Sequence, residues 1–294
     1  MPTKPTPILL IDDDPESRVM ISESAKGHRL IVEAFPDLEQ GMDYLSAHQK
    51  VKAVILDSCG VLDEEQNPQT IKSNFVFHAM DQINRIEHEQ NRIIPFCVYS
   101  DNIFDLHNDL DGLARVFHKK DGLIPLFDHL QTIITQLPEL LVREKFSQIF
   151  DFIGDYMSDE DDDLMETLLV HAEKSDPASI INNLSVTRRL LEKLFDIMCV
   201  NLMGKDPEHF AQKGKSRTRN IMDKLSNDRF LPYTLKKTAS DIYAFTSSWG
   251  NHVQTSRKNV YQPGKYAAHG NICFLLELFA FASQSISNLS KSKH

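Results

Sequence analysis

ILLIDDDPES, Ile8 to Ser17, decides how the first half of this chain is read. Four apolar residues bounded by acids and a proline have the length and composition of a buried strand, and the residues from Glu16 onward continue as a helix. Asp12, Asp13 and Asp14 then stand side by side at the strand's end. Adjacent like charges repel and cannot all stay ionised cheaply, so a cation is expected beside them.

Outward from this stretch, short apolar runs alternate with amphipathic ones as far as residue 137. Ile8–Ile11, His28–Ala34, Ala53–Leu56, Pro95–Tyr99 and Arg115–His118 read as strands. Glu16–Lys26, Asp37–Ala47, Gln69–Gln90, Ile103–Leu110 and Leu123–Leu137 read as helices. Strict alternation implies an α/β doubly wound parallel sheet of five strands with helices on both faces. Functional groups in such sheets gather at the carboxyl ends of the strands. The residues just past those ends are Asp12, Asp13 and Asp14, then Asp57, Ser100 and the pair Lys119–Lys120.

Oxygen-only donors of this kind suit a hard divalent ion such as Mg²⁺, which takes one or two carboxylates together with phosphate oxygens. A lysine adds a fixed positive charge, and a serine hydroxyl donates to a phosphoryl oxygen. A carboxylate between a metal and a lysine is placed to act as a nucleophile toward phosphorus, because both cations offset the charge of the transferring group.

The segments ILLIDDD, AVILDSCG, PFCVYSD and FHKKDG, in this order, resemble the receiver domain of two-component response regulators over residues 7–137. The resemblance implies that Asp12 and Asp13 bind Mg²⁺ and that Asp57 is the phosphoacceptor. It also implies that Cys59 offers its backbone carbonyl to the metal and that Ser100 is the switch hydroxyl. Lys120 matches the phosphate-binding lysine, with Phe117 at the aromatic switch position; Lys119 is the alternative. Asp14 is then a bystander that favours the helix N-terminus. Asp101 and a long segment between Asp57 and Ser100 depart from the usual receiver pattern. A sensor histidine kinase or phosphotransfer protein is the implied partner.

The alternation stops near residue 138. Residues 138–157 read as a connecting helix and 158–294 as an all-helical output domain, a bundle built from Leu164–Glu173, Ile180–Leu202, Thr218–Leu225, Leu235–Trp249 and Lys265–Asn288. The acid run SDEDDD, Ser158 to Asp163, lacks the glycine and the ligand spacing of a calcium loop and reads as a helix cap. Between Lys205 and Lys265 twelve Lys and Arg face five acids, a reversal of the overall balance that suits either a solvated face or contact with RNA. No helix-turn-helix accompanies it.

The long helix containing VTRRLLEKLF, the segment Trp249–Asn271 and the closing helix weakly resemble the helical HEPN superfamily, some of whose members are ribonucleases. Their active motif pairs an Arg with a His a few residues on. Before His252 those positions hold Thr246, Ser247 and Ser248, which favours a binding or homodimerising version. A ribonuclease site using Arg188 or Arg189 with His252 is the sharper alternative, and a degenerate receiver acting as a protein-interaction scaffold is a third. His171, followed by Lys174, faintly suggests a phosphotransfer helix; a surface histidine is the ordinary reading.

The chain has 294 residues, 41% of them hydrophobic, enough for two cores of ordinary size. A net charge of −10 argues against a wholly nucleic-acid-binding surface. Cys59, Cys97, Cys199 and Cys273 stand far apart, without metal or disulfide spacing, as expected of reduced thiols. MPTKPTP lacks the apolar core of a secretory signal. No run was expected to cross a membrane, and the expected location is cytoplasmic.

Overall fold

The computed structural model describes residues 5–58, 75–101, 110, 114–212, 214–249 and 263–291. The chain divides into two compact units, Met1–Leu140 and Leu141–His294.

In the first unit β1 (Thr6–Ile11), β2 (Leu30–Phe35), β3 (Val54–Leu56), β4 (Phe96–Ser100) and β5 (Arg115–His118) form one sheet in the order β2-β1-β3-β4-β5. Every pairing is parallel. This is the flavodoxin-like doubly wound order, whose direction of winding reverses between β1 and β3. The helices are α1 (Pro15–Lys26), α2 (Leu38–Ala47), α3 (Phe75–Gln90) and α4 (Ile124–Thr135). The expected helix at 103–110, apart from Leu110, and the first part of the one beginning at Gln69 lie outside the described residues.

Alternation along β1 sorts its side chains onto two faces. Ile8 and Leu10 pack with Ile21 and Ala25 of α1 and Leu126, Phe127 and Leu130 of α4. Leu9 and Ile11 pack with Met42 and Leu45 of α2 and Ala79 and Ile83 of α3. Both faces of the strand are therefore dry, which is why it reads as a continuous apolar run. Gly41 lets α2 approach β1 closely: a Cβ there would lie 2.5 Å from Ile11 Cδ1.

The second unit is helical. Residues 138–157 are not one continuous helix: α5 (Pro138–Lys145) and α6 (Ser147–Tyr156) are separated by Phe146, whose φ of −115° and ψ of 31° leave the helical range. Ile149, Phe150, Phe152 and Ile153 of α6 are buried in the bundle core, so α6 is a member of the bundle rather than a bridge to it. The remaining elements are α7 (Asp159–Val170), α8 (Pro177–Met203), α9 (Arg217–Asn227), α10 (Tyr233–Trp249) and α11 (Lys265–Lys291). The acid run is a cap, as its composition suggested. Ser158 accepts from the Asp161 backbone N–H while the Asp161 carboxylate accepts from Ser158, a complete capping box.

Helix α8 is the centre of the bundle, burying Leu190, Leu191, Leu194, Phe195, Met198 and Leu202, and it ends on Gly204 in the left-handed region, with φ 63°. Opposite it α11 buries Ile272, Leu275, Leu278, Phe279, Ala282 and Ile286. By length and composition alone α11 is apolar enough to cross a membrane, contrary to the expectation from the sequence. One stripe of it nevertheless belongs to this core.

Candidate functional site

The carboxyl ends of β1, β3, β4 and β5 are adjacent, because parallel pairing in register brings Ile11 beside Leu56, Leu56 beside Val98 and Ser100 beside His118. Asp12, Asp13, Asp57, Ser100 and Lys119 are the residues at or just past those ends. Asp12 and Asp57 flank the β1/β3 position where the winding reverses.

Asp12, Asp13 and Asp57 each bring a carboxylate oxygen within 4.8 Å of the others. Asp12 and Asp57 are buried and Asp13 is exposed, so the cluster has a dry floor and an open rim. Hard oxygen donors at this spacing fit a divalent cation, and the first unit therefore holds a candidate metal centre. Lys119 Nζ lies 3.0 Å from Asp57 Oδ2 and 3.4 Å from Asp12 Oδ2. Among the described residues, the one ammonium paired with these carboxylates, that of Lys119, leaves room for more positive charge.

The lysine in contact with Asp57 is thus Lys119, where the sequence favoured Lys120. β5 ends at His118, next to Ser100, and a 3-10 turn over Lys119–Asp121 follows. The first residue past the strand reaches the site; Lys120, one further, is exposed and donates its backbone N–H to His118 Nδ1 at 3.0 Å. Phe117 is already inside, 9% exposed, packed with the Ile8 and Leu10 face and tilted against His129. Inward packing of this ring is therefore a property of the present state rather than a change still to come. Cys59 lies outside the described residues.

Burial pushes the Asp57 carboxyl above its ordinary value; Lys119 opposes that rise and Asp12 adds to it. For Lys119 burial acts to lower the ammonium's pKa, but attraction to Asp57 and Asp12 outweighs it and the net shift is upward. Each partner thus supports a charged Lys119 at neutral pH, while the second buried acid makes a fully ionised pair of carboxylates costly.

Three side chains that the sequence reading passed over organise this cluster. Ser17 Oγ donates to Asp12 Oδ2 at 2.6 Å and Arg18 donates to the Asp12 carbonyl at 2.6 Å, both from the first turn of α1. Ser58 donates its backbone N–H to Asp57 Oδ1 at 2.6 Å and its hydroxyl lies 2.5 Å from that of Ser100. Ser17, in the first turn of α1 directly after the acids, was open to notice as a neighbour of the strand end; nothing in composition marks Ser58. Asp14, expected as a bystander, caps α1 by accepting from the Glu16 backbone N–H at 2.9 Å.

In the helical unit Arg188 pairs with Glu192 at 3.0 Å and lies over the Tyr243 ring, and Arg189 pairs with Glu160 at 2.8 Å. His252 lies outside the described residues, so no described geometry joins it to either arginine. Several cations of the basic stretch find acids nearby: Arg217 holds Asp196 and Glu208, Lys224 holds Asp228, and Lys236 holds Asp223. These acids belong to α8, to α9 and its C-cap, and to the turn before α9. His171 closes α7, and its carbonyl accepts from Asn183 at 2.9 Å. No protein-family model matches the chain, and a search of curated proteins finds no match.

Proposed function

We propose that the first unit is a response-regulator receiver that accepts a phosphoryl group on Asp57 with Mg²⁺, and that the helical unit is its output. The observation that carries this reading is the convergence of Asp12, Asp13 and Asp57 within 4.8 Å, with Lys119 Nζ at 3.0 Å from Asp57. Buried carboxylates in excess of the cations described beside them call for a bound cation, and that cation would offset the charge of an incoming phosphoryl group.

Asp12, Asp13 and Asp57 would hold the ion, and Mg²⁺ bound there supplies positive charge to offset that of the phosphoryl oxygens. Asp57 attacks phosphorus of a phosphohistidine or an acyl phosphate. A P–O bond to the carboxylate forms as the bond to the leaving group breaks, and the leaving group departs with its electron pair. Lys119 favours the ionised form of Asp57 against its burial and then faces the phosphoryl oxygens, while Ser17 and Arg18 hold Asp12 in place. Ser100, fully buried at the end of β4, turns its hydroxyl toward the new group. That movement shifts the population of two states of the β4 and β5 ends and is the signal to the output. The phosphodonor is a sensor kinase or phosphotransfer protein in the cytoplasm, and the helical unit acts by binding a protein.

Acetyl phosphate with Mg²⁺ should add one phosphoryl group to the wild type, visible by intact mass under acidic conditions, and none to Asp57→Ala. Equal incorporation in both, or none in either with acetyl phosphate and with a panel of phosphorylated kinases, would remove the reading.

A further inference from the structure

Continuing the β3–β4 register Leu56↔Val98 by two places sets Ser58 beside Ser100 at the strand ends. Their hydroxyl oxygens lie 2.5 Å apart, and the residues are 3% and 0% exposed. Water does not compete at such depth, so the bond has close to its full strength. Ser58 is tied to the acceptor as well: its N–H donates to Asp57 Oδ1 at 2.6 Å, and its hydroxyl lies 3.4 Å from the same oxygen. Each hydroxyl has a single proton to give. With a carboxylate at Asp57, the favoured polarity runs from Ser100 to Ser58 and on toward Oδ1, because both donors point at the negative charge.

We propose that Ser58 is a latch on Ser100, holding its hydroxyl in the unmodified state and setting the threshold for the phosphorylated one. The inference rests on the receiver reading above: Ser100 must release this bond to give its proton to a phosphoryl oxygen. A side chain one residue past the acceptor thereby acts as a positioning residue, through Ser100 rather than on the reacting atoms. Removing the Ser58 hydroxyl raises the free energy of the unmodified state, which uses the bond, and leaves the phosphorylated state, which does not.

The test is calorimetric titration of the full chain with beryllofluoride in the presence of Mg²⁺. Ser58→Ala is expected to bind about 2- to 10-fold more tightly than wild type, the range for one neutral hydrogen bond. Ser58→Cys, with a weaker donor of similar shape, shifts in the same direction by less, and it decides the matter if the alanine variant does not fold. Without ligand Ser58→Ala melts below wild type, and the gap narrows at saturating beryllofluoride; a merely structural serine would keep the gap constant. Unchanged or weaker affinity in the folded variants, or a constant gap, overturns the latch while leaving the receiver reading in place. Failure of the wild type itself to bind beryllofluoride overturns the receiver reading and the latch with it.

Discussion

In the first unit Asp12, Asp13 and Asp57 crowd around Lys119; in the second, charges are shared out. Arg143 stands between Asp162 and Glu166, Arg217 between Asp196 and Glu208, and Arg188, Arg189, Lys224 and Lys236 each hold an acid. Burial sharpens the contrast, since Asp12 and Asp57 are 1% and 8% exposed, whereas most of the helical unit's pairs remain in contact with solvent. A fold gains little from surface pairs and loses by burying like charges together. The crowded, buried acids of the first unit are therefore the candidate for chemistry, and the paired charges of the helical unit are what ordinary solvation produces. Location of net charge is more informative here than its total.

The largest expected effect breaks the comparison at its centre. Asp57→Asn keeps the shape of the acceptor but has no anionic nucleophile, so phosphoryl incorporation from acetyl phosphate should fall to background. Arg189→Ala, which removes a cation of the helical unit held by Glu160, should leave incorporation unchanged. Similar losses in both variants would mean that the two units do not differ in the way proposed.

Packing gives the next effect. Leu194 is fully buried at the centre of α8, and Leu194→Ala should cost about 2–5 kcal/mol in urea unfolding, the usual range for a large core truncation. A cost below about 1 kcal/mol would show that α8 does not organise the bundle.

How much of this was legible in residues alone follows from the same physics. The two-faced burial of β1 produced an unbroken apolar run, and acids directly after it could be placed at one end of the sheet before any coordinate was known. The bundle helices were visible by their stripes, and the cap at Ser158 by its acids. Lys119 stood only as the alternative to Lys120 because two lysines adjoin, and only the strand's last paired residues, Ser100 with His118, say which one faces inward. The break at Phe146 was missed because the apolar spacing on either side keeps helical phase. Ser58 has no signal in composition at all; it matters through strand register, a relation between residues 42 positions apart.

Asp57 allows a pH test of the buried cluster. Its ordinary value is 3.8, and burial raises it. A group whose pKa is higher in the folded state contributes stability that is complete below the unfolded value and lost as pH rises through the folded one. The contribution of Asp57 to metal-free stability should therefore be lost as pH climbs from 3.8 through the raised value, so that wild type falls relative to Asp57→Asn, which lacks that part of the slope and unfolds at higher urea near neutrality. Lys119 adds no slope in this window, since its value lies above 10.5. Mg²⁺ should raise the wild-type midpoint at neutral pH by linkage and leave the Asn variant much less affected. If the wild-type stability minus that of Asp57→Asn does not fall as pH rises through this window, burial does not dominate at this carboxyl.

The smallest effect sharpens the comparison from the other side. Lys224 and Asp228 form an i,i+4 pair at 2.7 Å with both side chains about a third exposed. A double-mutant cycle over Lys224→Ala and Asp228→Ala should give a coupling of about 0.3–0.5 kcal/mol that shrinks in 1 M salt. Lys119 differs in kind: its partners are buried, so Lys119→Ala leaves two carboxylates facing each other without it. Metal-free Lys119→Ala should consequently gain more from added Mg²⁺ than wild type does, whereas Lys224→Ala responds to Mg²⁺ as wild type does. A coupling at Lys224–Asp228 as large as the Mg²⁺ response at Lys119 would erase the distinction between a charge that solvates and a charge that prepares a site.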